Sequence, residues 1–460
     1  MTQLHHQTHL SHSVETVIDW HRRPGALTRF SPHWAMRVVE ETPDPYLKGS
    51  ISRMRICVPG SYGKVTLGWT ACHEPLEGEE GFADWMVSGP MGSWRHEHRF
   101  EELDDGQSII DDRVSYELPG PSLVDKYAPA FLTEDHLRKV FAARGTRVAA
   151  DLAFHARYPV SPKRILIAGA TGMIGTQVAA LLSSGGHEVR RLVRSSPRGS
   201  DATWDPGAHK LDPRDVAWAD VVIHLGGASI ARPFTASAKK AITDSRVGST
   251  RLLARTICDL PQADRPEAFI TASGINYYGF DEEDTKTEGS ASGEGFLGRV
   301  CRAWEAAAQP VTEAGVRHCA IRTGIVLSTI GGALSAQIPL FAIGAGGRVG
   351  SGTQMMSWIS LDDIARVYAH AALTDIDGPI NAVAPEPVSQ KTFADRLAAH
   401  MNRPSFLPVP AFAPRLVLGK GATDELLLCN LTVSPTTLRE TGYRFMHSHL
   451  DGALYEELGS

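Results

Sequence analysis

Three glycines at a spacing of three, Gly169-Ala-Thr171-Gly172-Met173-Ile174-Gly175, follow the short apolar run Ile165 to Ala168. The chemistry open to such a loop is the holding of a diphosphate. Gly169 allows a tight turn out of a buried strand, Gly172 lets a pyrophosphate approach backbone N–H groups, and Gly175 lets the next helix pack on the strand. Thr171, Met173 and Ile174 complete the loop and the first helical turn, where unpaired N–H groups and the helix dipole favour an anion. The helix stops at Gly185-Gly186 and a second strand runs from Glu188 to Val193, completing a βαβ unit.

The dinucleotide is selected about 20 residues past the glycines, where an acid bonds the ribose 2′-OH of NAD and an arginine suits the 2′-phosphate of NADP. Arg191 and Arg194 stand there, with no acid from Arg190 to Ser200. NADP(H) is therefore expected over NAD(H). The competing account, arginines that are merely solvated, stays open because Arg198 makes the whole loop basic.

The elements that must position this loop belong to a long chain. At 460 residues it exceeds one ordinary core and implies two or three domains. An apolar share of 42% and a charged share of 21% are those of a globular protein, and a net charge of −6 gives no basis for a nucleic-acid or membrane partner. Cys57, Cys72, Cys258, Cys301, Cys319 and Cys429 lack C-x-x-C pairing and read as reduced thiols. No apolar run approaches about 18 residues, and the start, His5-His6-Gln-Thr-His9-Leu-Ser-His12, lacks the apolar stretch of a signal peptide. A cytoplasmic protein is expected, with homodimer formation left open.

Residues 1–157 read as an α+β domain. A short helix, Ser13 to Trp20 with Ser13 as cap, precedes strand-like runs at 35–41, 53–58, 64–72, 83–89, 93–103 and 107–118 and a closing helix over 134–155. Such a curved sheet can wrap a helix around a cavity. Trp94, His96, His98 and Phe100 share one strand face. Two histidines two apart could hold a metal, but no further ligand stands at recognisable spacing and cavity lining explains the pattern, so no metal is expected. The N-terminal histidines read as a mobile or edge segment. Tyr158-Pro-Val-Ser-Pro162 is the linker.

Beyond it, 163–400 alternates strand and helix, which predicts a doubly wound parallel Rossmann sheet, and 401–460 forms a small C-terminal α/β domain. Val222 to Leu225 ends in Gly226-Gly227-Ala228, small residues against which adenosine and ribose can lie. Strands follow at 267–273 and 318–327, and helices at 237–260, from a Ser360 cap to Leu373, and at 391–400, 414–418 and 450–458. Glycine-rich loops at 331–332 and 344–352 could close over a ligand, with Arg348 facing a phosphate or carboxylate or simply exposed.

Two resemblances add to this reading. Trp20-His-Arg-Arg-Pro-Gly-Ala-Leu27, Gly89-Pro-Met-Gly-Ser-Trp94-Arg-His-Glu-His98 and Asp112-Arg-Val-Ser-Tyr116-Glu-Leu-Pro119 resemble the START-like polyketide cyclase/dehydrase superfamily. That resemblance implies a helix-grip fold with a pocket for a small apolar ligand. Gly169 to Gly175, Val222 to Ala228, Asp244-Ser-Arg-Val-Gly-Ser-Thr250 and Thr271-Ala-Ser-Gly-Ile-Asn-Tyr277-Tyr278-Gly279 resemble the extended short-chain dehydrogenases/reductases, in their atypical sugar-nucleotide-epimerase-like branch. Arg322-Thr-Gly-Ile-Val-Leu-Ser328, Met356 to Asp363 and Leu407-Pro-Val-Pro410 strengthen the match, which runs over 163–460.

The second resemblance implies cofactor contacts at the glycine loop, at Arg191 and Arg194, at Leu225, Gly226, Gly227 and Ala228, and at Arg322, with a small-molecule substrate in a pocket built by the C-terminal third. It also implies a serine that orients the substrate oxygen, which Ser273 fits, and a tyrosine with a lysine four residues on as proton carrier. That pair is absent: Tyr277 is followed at that spacing by Asp281, Tyr278 by Glu282, and the helix expected to carry it reads Phe296-Leu-Gly-Arg-Val300-Cys301. Three possibilities remain open. Tyr277 or Tyr278 replaces the pair, a carboxylate such as Glu288 or Glu294 does, or the site does not turn over.

Overall fold

The computed structural model describes residues 1–118, 134–281, 283–410 and 412–460, so Pro119 and Glu282 of the motifs above lie outside the described residues. Contacts divide the chain into two units, one of residues 1–161 with 180–186 and 456–459, the other of 162–179, 187–455 and 460.

The first unit runs β1 (Thr2–Leu10), α1 (Val14–Arg22), α2 (Ala26–Phe30), β2 (Met36–Glu40), β3 (Ile51–Cys57), β4 (Thr66–Pro75), β5 (Gly81–Ser88), β6 (Ser93–Glu102), β7 (Ser108–Glu117) and α3 (Glu134–Arg157). Its seven strands form one antiparallel sheet in the order β1-β7-β6-β5-β4-β3-β2. The six expected strands are all present. The order opens on a strand, however, and not on the expected helix. The histidine-rich start pairs with β7 from Thr2 opposite Tyr116 to Leu10 opposite Ser108, and is an edge. Leu4 and Leu10 are its buried anchors. With two large apolar residues in nine, β1 gives almost no period-2 signal.

Ser13 caps α1 by accepting the Thr16 N–H through its Oγ. Trp20, Phe30, Phe82, Phe100, Ile110, Val148 and Leu152 then join helices and sheet in one core. Burying aromatic side chains of this size is the main driving force for such packing.

The second unit begins β8 (Arg164–Ala168), α4 (Met173–Ser184), β9 (Glu188–Val193), β10 (Ala202–Asp205), β11 (Lys210–Leu211), α5 (Pro213–Ala217), β12 (Val221–His224), α6 (Ala236–Thr243), α7 (Ser249–Asp259), β13 (Ala268–Gly274) and α8 (Phe296–Ala308). It continues α9 (Pro310–Glu313), β14 (Arg317–Thr323), β15 (Ile325–Leu327), α10 (Gly332–Ala342), β16 (Met355–Met356), β17 (Trp358–Ser360), α11 (Leu361–Leu373), β18 (Gly378–Ala382) and β19 (Val388–Ser389). α12 (Gln390–His400), α13 (Phe412–Leu426), α14 (Thr436–Glu440) and α15 (Leu450–Leu458) close the chain.

Eight strands make its main sheet, ordered β11-β10-β9-β8-β12-β13-β14-β18, parallel except for β11. This is the doubly wound Rossmann arrangement expected. β8, β12 and β13 each carry a run of four buried, mostly apolar residues, as strands covered on both faces must. The order reverses between β8 and β12, and at such a switch point the carboxyl ends of the strands leave a crevice. The expected strand to Leu327 is broken at Gly324, and β15 leaves the main sheet to pair with β17. The helix expected over 414–418 extends through 412–426, with a break at Gly419.

Candidate functional site

At the switch point Gly169 has φ +89°, a left-handed conformation, and a Cβ there would sit 2.9 Å from the Gly226 nitrogen. A Cβ on Gly175 would collide with the Gly169 carbonyl oxygen. Gly172 donates its N–H back to Gly169 O at 3.0 Å, which closes the turn. Thr171 and Gly172 are exposed, Met173 and Ile174 half-buried, and the first turn of α4 therefore opens to solvent. Gly331, at the start of α10, lies against Met173, so the expected covering loop adjoins the glycines.

The neighbouring Leu225-Gly226-Gly227-Ala228 loop is pinned from below. Leu225 donates its N–H to Ala168 O, and Gly226 donates to His224 Nδ1 at 3.2 Å. The other ring nitrogen, Nε2, then carries the hydrogen and donates to Ser249 Oγ at 2.8 Å. Burial lowers His224 to about 4, so the ring is neutral. Arg246 donates to Ala228 O at 2.9 Å from a π-helical turn, Asp244–Gly248, between α6 and α7. Such a turn reorients a side chain that a continuous α-helix would aim elsewhere.

Of the two arginines expected near a 2′-phosphate, Arg191 is occupied. Its Nε and Nη2 meet Asp201 Oδ1 and Oδ2 at 2.8 and 2.6 Å, a bidentate pair. Asp201 is the residue just past the acid-free run. Arg194 is exposed on the loop after β9, where a phosphate can reach it.

A polar corner is a row across three strands: Ser273 on β13 stands opposite Arg322 on β14, and Arg322 opposite Asn381 on β18. Ser273 Oγ donates to Glu305 Oε1 on α8 at 2.6 Å. Arg322 clamps that carboxylate, Nε to Oε1 at 2.9 Å and Nη2 to Oε2 at 2.8 Å. Its Nη1 donates to Tyr278 Oη at 2.9 Å, and Tyr278 in turn donates to Asn381 Oδ1 at 2.7 Å. Burial works against the Arg322 charge, but the Glu305 bonds outweigh it and hold the guanidinium above the usual arginine range.

These contacts correct two expectations. Arg322 is 4% exposed, commits its guanidinium to Glu305 and lies over the Tyr277 ring at 3.5 Å from its centroid, so it is a strut of this corner and not a cofactor contact. Tyr278 is 0% exposed, its phenol pushed up by burial and bonded on both sides, so it cannot hand a proton to a substrate. Tyr277 keeps a half-buried edge. Glu288 accepts the N–H groups of Asn381 and Thr437, and Glu294 is exposed.

Helix α8 presents buried Phe296, Val300 and Cys301 where a tyrosine and lysine would stand. Its open N-terminus is capped by Glu425, which accepts the N–H groups of Phe296 and Leu297 at 2.9 and 2.7 Å. Burial, with the nearby Glu305 charge, pushes the Cys301 thiol up to about 11, which keeps it protonated. Sequence reasoning missed Glu305. Its signal was a carboxylate on the helical stripe of Val300, Cys301, Trp304 and Ala308. Arg348 bonds the carbonyls of Gly350 and Ser351 in its own loop, both at 3.0 Å.

The first unit encloses a cavity of about 130 Å³ lined by Leu27, Phe30, Trp69, Phe82, Trp94 and Phe141 together with Asp84, His96, His98 and Arg144. A mainly aromatic wall with a few convergent polar groups is the usual form of a small-ligand pocket.

Residues 165–382 match the NAD dependent epimerase/dehydratase family, and 409–457 match a domain of unknown function, DUF1731. An epimerase family protein of Mycobacterium bovis is 37% identical over 293 residues, 63% of this chain and 96% of that protein. A crystal structure of a nucleoside-diphosphate sugar epimerase from Corynebacterium glutamicum superposes with a TM-score of 0.81 at 32% identity, covering 99% of this chain and 90% of that one. The human epimerase family protein SDR39U1, solved with NADPH, gives 0.59 at 31% identity over 65% of this chain and 99% of that one.

Proposed function

This chain belongs to the NAD dependent epimerase/dehydratase family, and from that premise we propose that its second unit is an NADP(H)-dependent oxidoreductase or epimerase acting at a hydroxyl or carbonyl centre, with a nucleotide sugar as the substrate class. The observation that carries the reading is the glycine turn at the switch point, open at the first turn of α4 with Arg194 exposed beyond β9. It fits a dinucleotide because Gly169 and Gly175, where a Cβ would strike the backbone of Gly226 and of Gly169, keep the turn tight, and because the first-turn N–H groups of a helix have no intrahelical acceptors. The family relative solved with NADPH supports the choice of phosphate form.

In this reading Gly169 to Gly175 hold the diphosphate, Leu225 to Ala228 line the adenosine side, and Arg194 meets the 2′-phosphate. When bound, the nicotinamide supplies or accepts a hydride. Ser273 Oγ bonds the substrate oxygen. As the carbinol proton passes to Ser273 Oγ, the serine's own proton passes along its 2.6 Å bond to Glu305 Oε1, and the reverse holds for reduction. Arg322 fixes the carboxylate in line. The 401–460 segment completes the substrate side, the setting is cytoplasmic, and a homodimer is compatible.

A second reading, an NADPH-binding regulatory protein without turnover, is favoured by one observation: α8 presents buried Phe296, Val300 and Cys301 where the proton-carrying tyrosine and lysine would stand. The first unit is read as a START-like, helix-grip domain for an apolar ligand, supported by its sheet, its long α3 and its aromatic cavity.

The test follows NADPH absorbance with a panel of carbonyl compounds and nucleotide sugars. Turnover that drops at least 100-fold in Ser273→Ala is expected. NADPH binding with no oxidation by any compound, and ligand binding unchanged in Ser273→Ala, would leave the regulatory reading standing.

A further inference from the structure

His96 and His98 on β6 point to the same side of the sheet, and each has a carboxylate across the ladder: Asp84 on β5 is the register partner of His96, and Asp112 on β7 that of His98. The third ligand that sequence spacing did not reveal is therefore supplied by a neighbouring strand. Among the described residues, Asp84, His96 and His98 each bring one ligand atom within 4.8 Å of the other two.

The two carboxylates take different parts. Asp112 Oδ1 lies 2.8 Å from His96 Nε2 and 2.9 Å from His98 Nδ1, normal hydrogen-bond distances that use one nitrogen of each ring. Asp84 Oδ2 faces the other nitrogen of each, at 3.3 Å from His96 Nδ1 and 3.6 Å from His98 Nε2. Those gaps are long for hydrogen bonds. They are what two ligands on one tetrahedral ion show: bonds of about 2.1 Å to zinc put neighbouring ligand atoms about 3.4 Å apart. Asp112 then stands where metal sites keep the carboxylate that orients a histidine from behind.

We propose that Asp84 Oδ2, His96 Nδ1 and His98 Nε2 form a three-ligand site for a divalent transition ion, zinc by geometry, whose fourth position opens into the apolar cavity. Asp84, His96 and His98 line that cavity. Two histidines with one carboxylate and an open position is a catalytic-type zinc set, in contrast to a closed structural site. Arg144 also lines the cavity, its guanidinium over the rings of Phe30 and Phe141 at 4.5 and 5.0 Å. A dication, two carboxylates and a guanidinium leave one positive charge, so the ligand class is an apolar molecule with a carboxylate head. The inference stands on the first unit alone and does not depend on the dinucleotide reading.

The full chain, expressed without an affinity tag and stripped with chelator, is titrated with Zn²⁺ against a chromophoric chelator and with Co²⁺ by visible absorption. One tight equivalent is expected, with the intense d–d bands of a four-coordinate Co²⁺ that shift on adding octanoate. Asp84→Asn and His98→Gln should each weaken binding at least 100-fold. Asp112→Asn, which spares all three ligands, should weaken it about 10–100-fold, and this variant decides the matter if either of the others fails to fold by circular dichroism. The double change His5→Ala, His9→Ala on the exposed edge of β1 should alter nothing. No bound equivalent, binding indifferent to Asp84 and His98, or binding lost with His5 and His9 would each overturn the metal site, and bands unmoved by octanoate would overturn the ligand class.

Discussion

Glu305 and Arg322 in the second unit meet through two parallel bonds of 2.9 and 2.8 Å, with Ser273 and Tyr278 completing the set. In the first unit two imidazoles and two carboxylates stand in a ring where one acid is close, at 2.8 and 2.9 Å, and the other stands off at 3.3 and 3.6 Å. Both clusters are buried, and both are built across strands. The difference lies in what remains unspent. The guanidinium–carboxylate pair satisfies itself and fixes geometry, whereas the histidine cluster keeps ligand atoms facing a cavity, so it is poised to take a further group.

The largest expected effect breaks the self-satisfied pair. Glu305→Gln leaves a guanidinium that is 4% exposed without its counter-charge, and should lower the unfolding free energy by about 3–5 kcal/mol in urea. Asp84→Asn in metal-free protein should cost no more than about 1 kcal/mol, since its bonds are long. Equal losses in the two variants would erase the contrast.

A second contrast concerns histidines. His224 and His318 in the second unit bond hydroxyls, Ser249 Oγ at 2.8 Å and Thr271 Oγ1 at 2.9 Å, and the pull of Glu305 and Asp377 on His318 is outweighed by its burial. Burial lowers both to about 4 from 6.5. Between those values the unfolded chain binds protons that the folded chain refuses, so stability is full above pH 6.5 and falls as pH drops toward 4. Each ring contributes up to roughly 3 kcal/mol at the acid end. Urea midpoints from pH 8 to 4.5 should show this slope, reduced in His224→Gln. A slope unchanged in that variant would contradict the assignment.

A smaller effect is expected at Tyr278→Phe, which removes one bond to Asn381 and one from Arg322 while leaving the Glu305 clamp. About 1–2 kcal/mol should be lost, with NADPH affinity unchanged. A collapse of cofactor binding would show that the corner is less self-contained than its bonds imply.

The glycine loop was legible in the sequence because its role depends on residue type alone: a missing Cβ at Gly169 and Gly175 is a fact of composition. Strand runs such as Ser93–Glu102 were legible by period. The polar corner around Ser273 was not, since Ser273, Arg322 and Asn381 become neighbours only through parallel register between strands far apart in the chain. For the same reason Arg322 read as a cofactor contact, and Arg191 as a free cation until Asp201 closed on it. Asp84 escaped notice as a partner of His96 because a hairpin, and no local spacing, brings them together.

The central claim is that the glycine turn holds an NADP(H) whose 2′-phosphate meets Arg194. Calorimetric titration of wild type and Arg194→Ala with NADPH and with NADH tests it most directly. The account predicts tighter binding of NADPH, and a loss of about tenfold, near 1.4 kcal/mol, in Arg194→Ala for NADPH alone. Equal weakening for both dinucleotides, or no binding of either to the wild type, would contradict it.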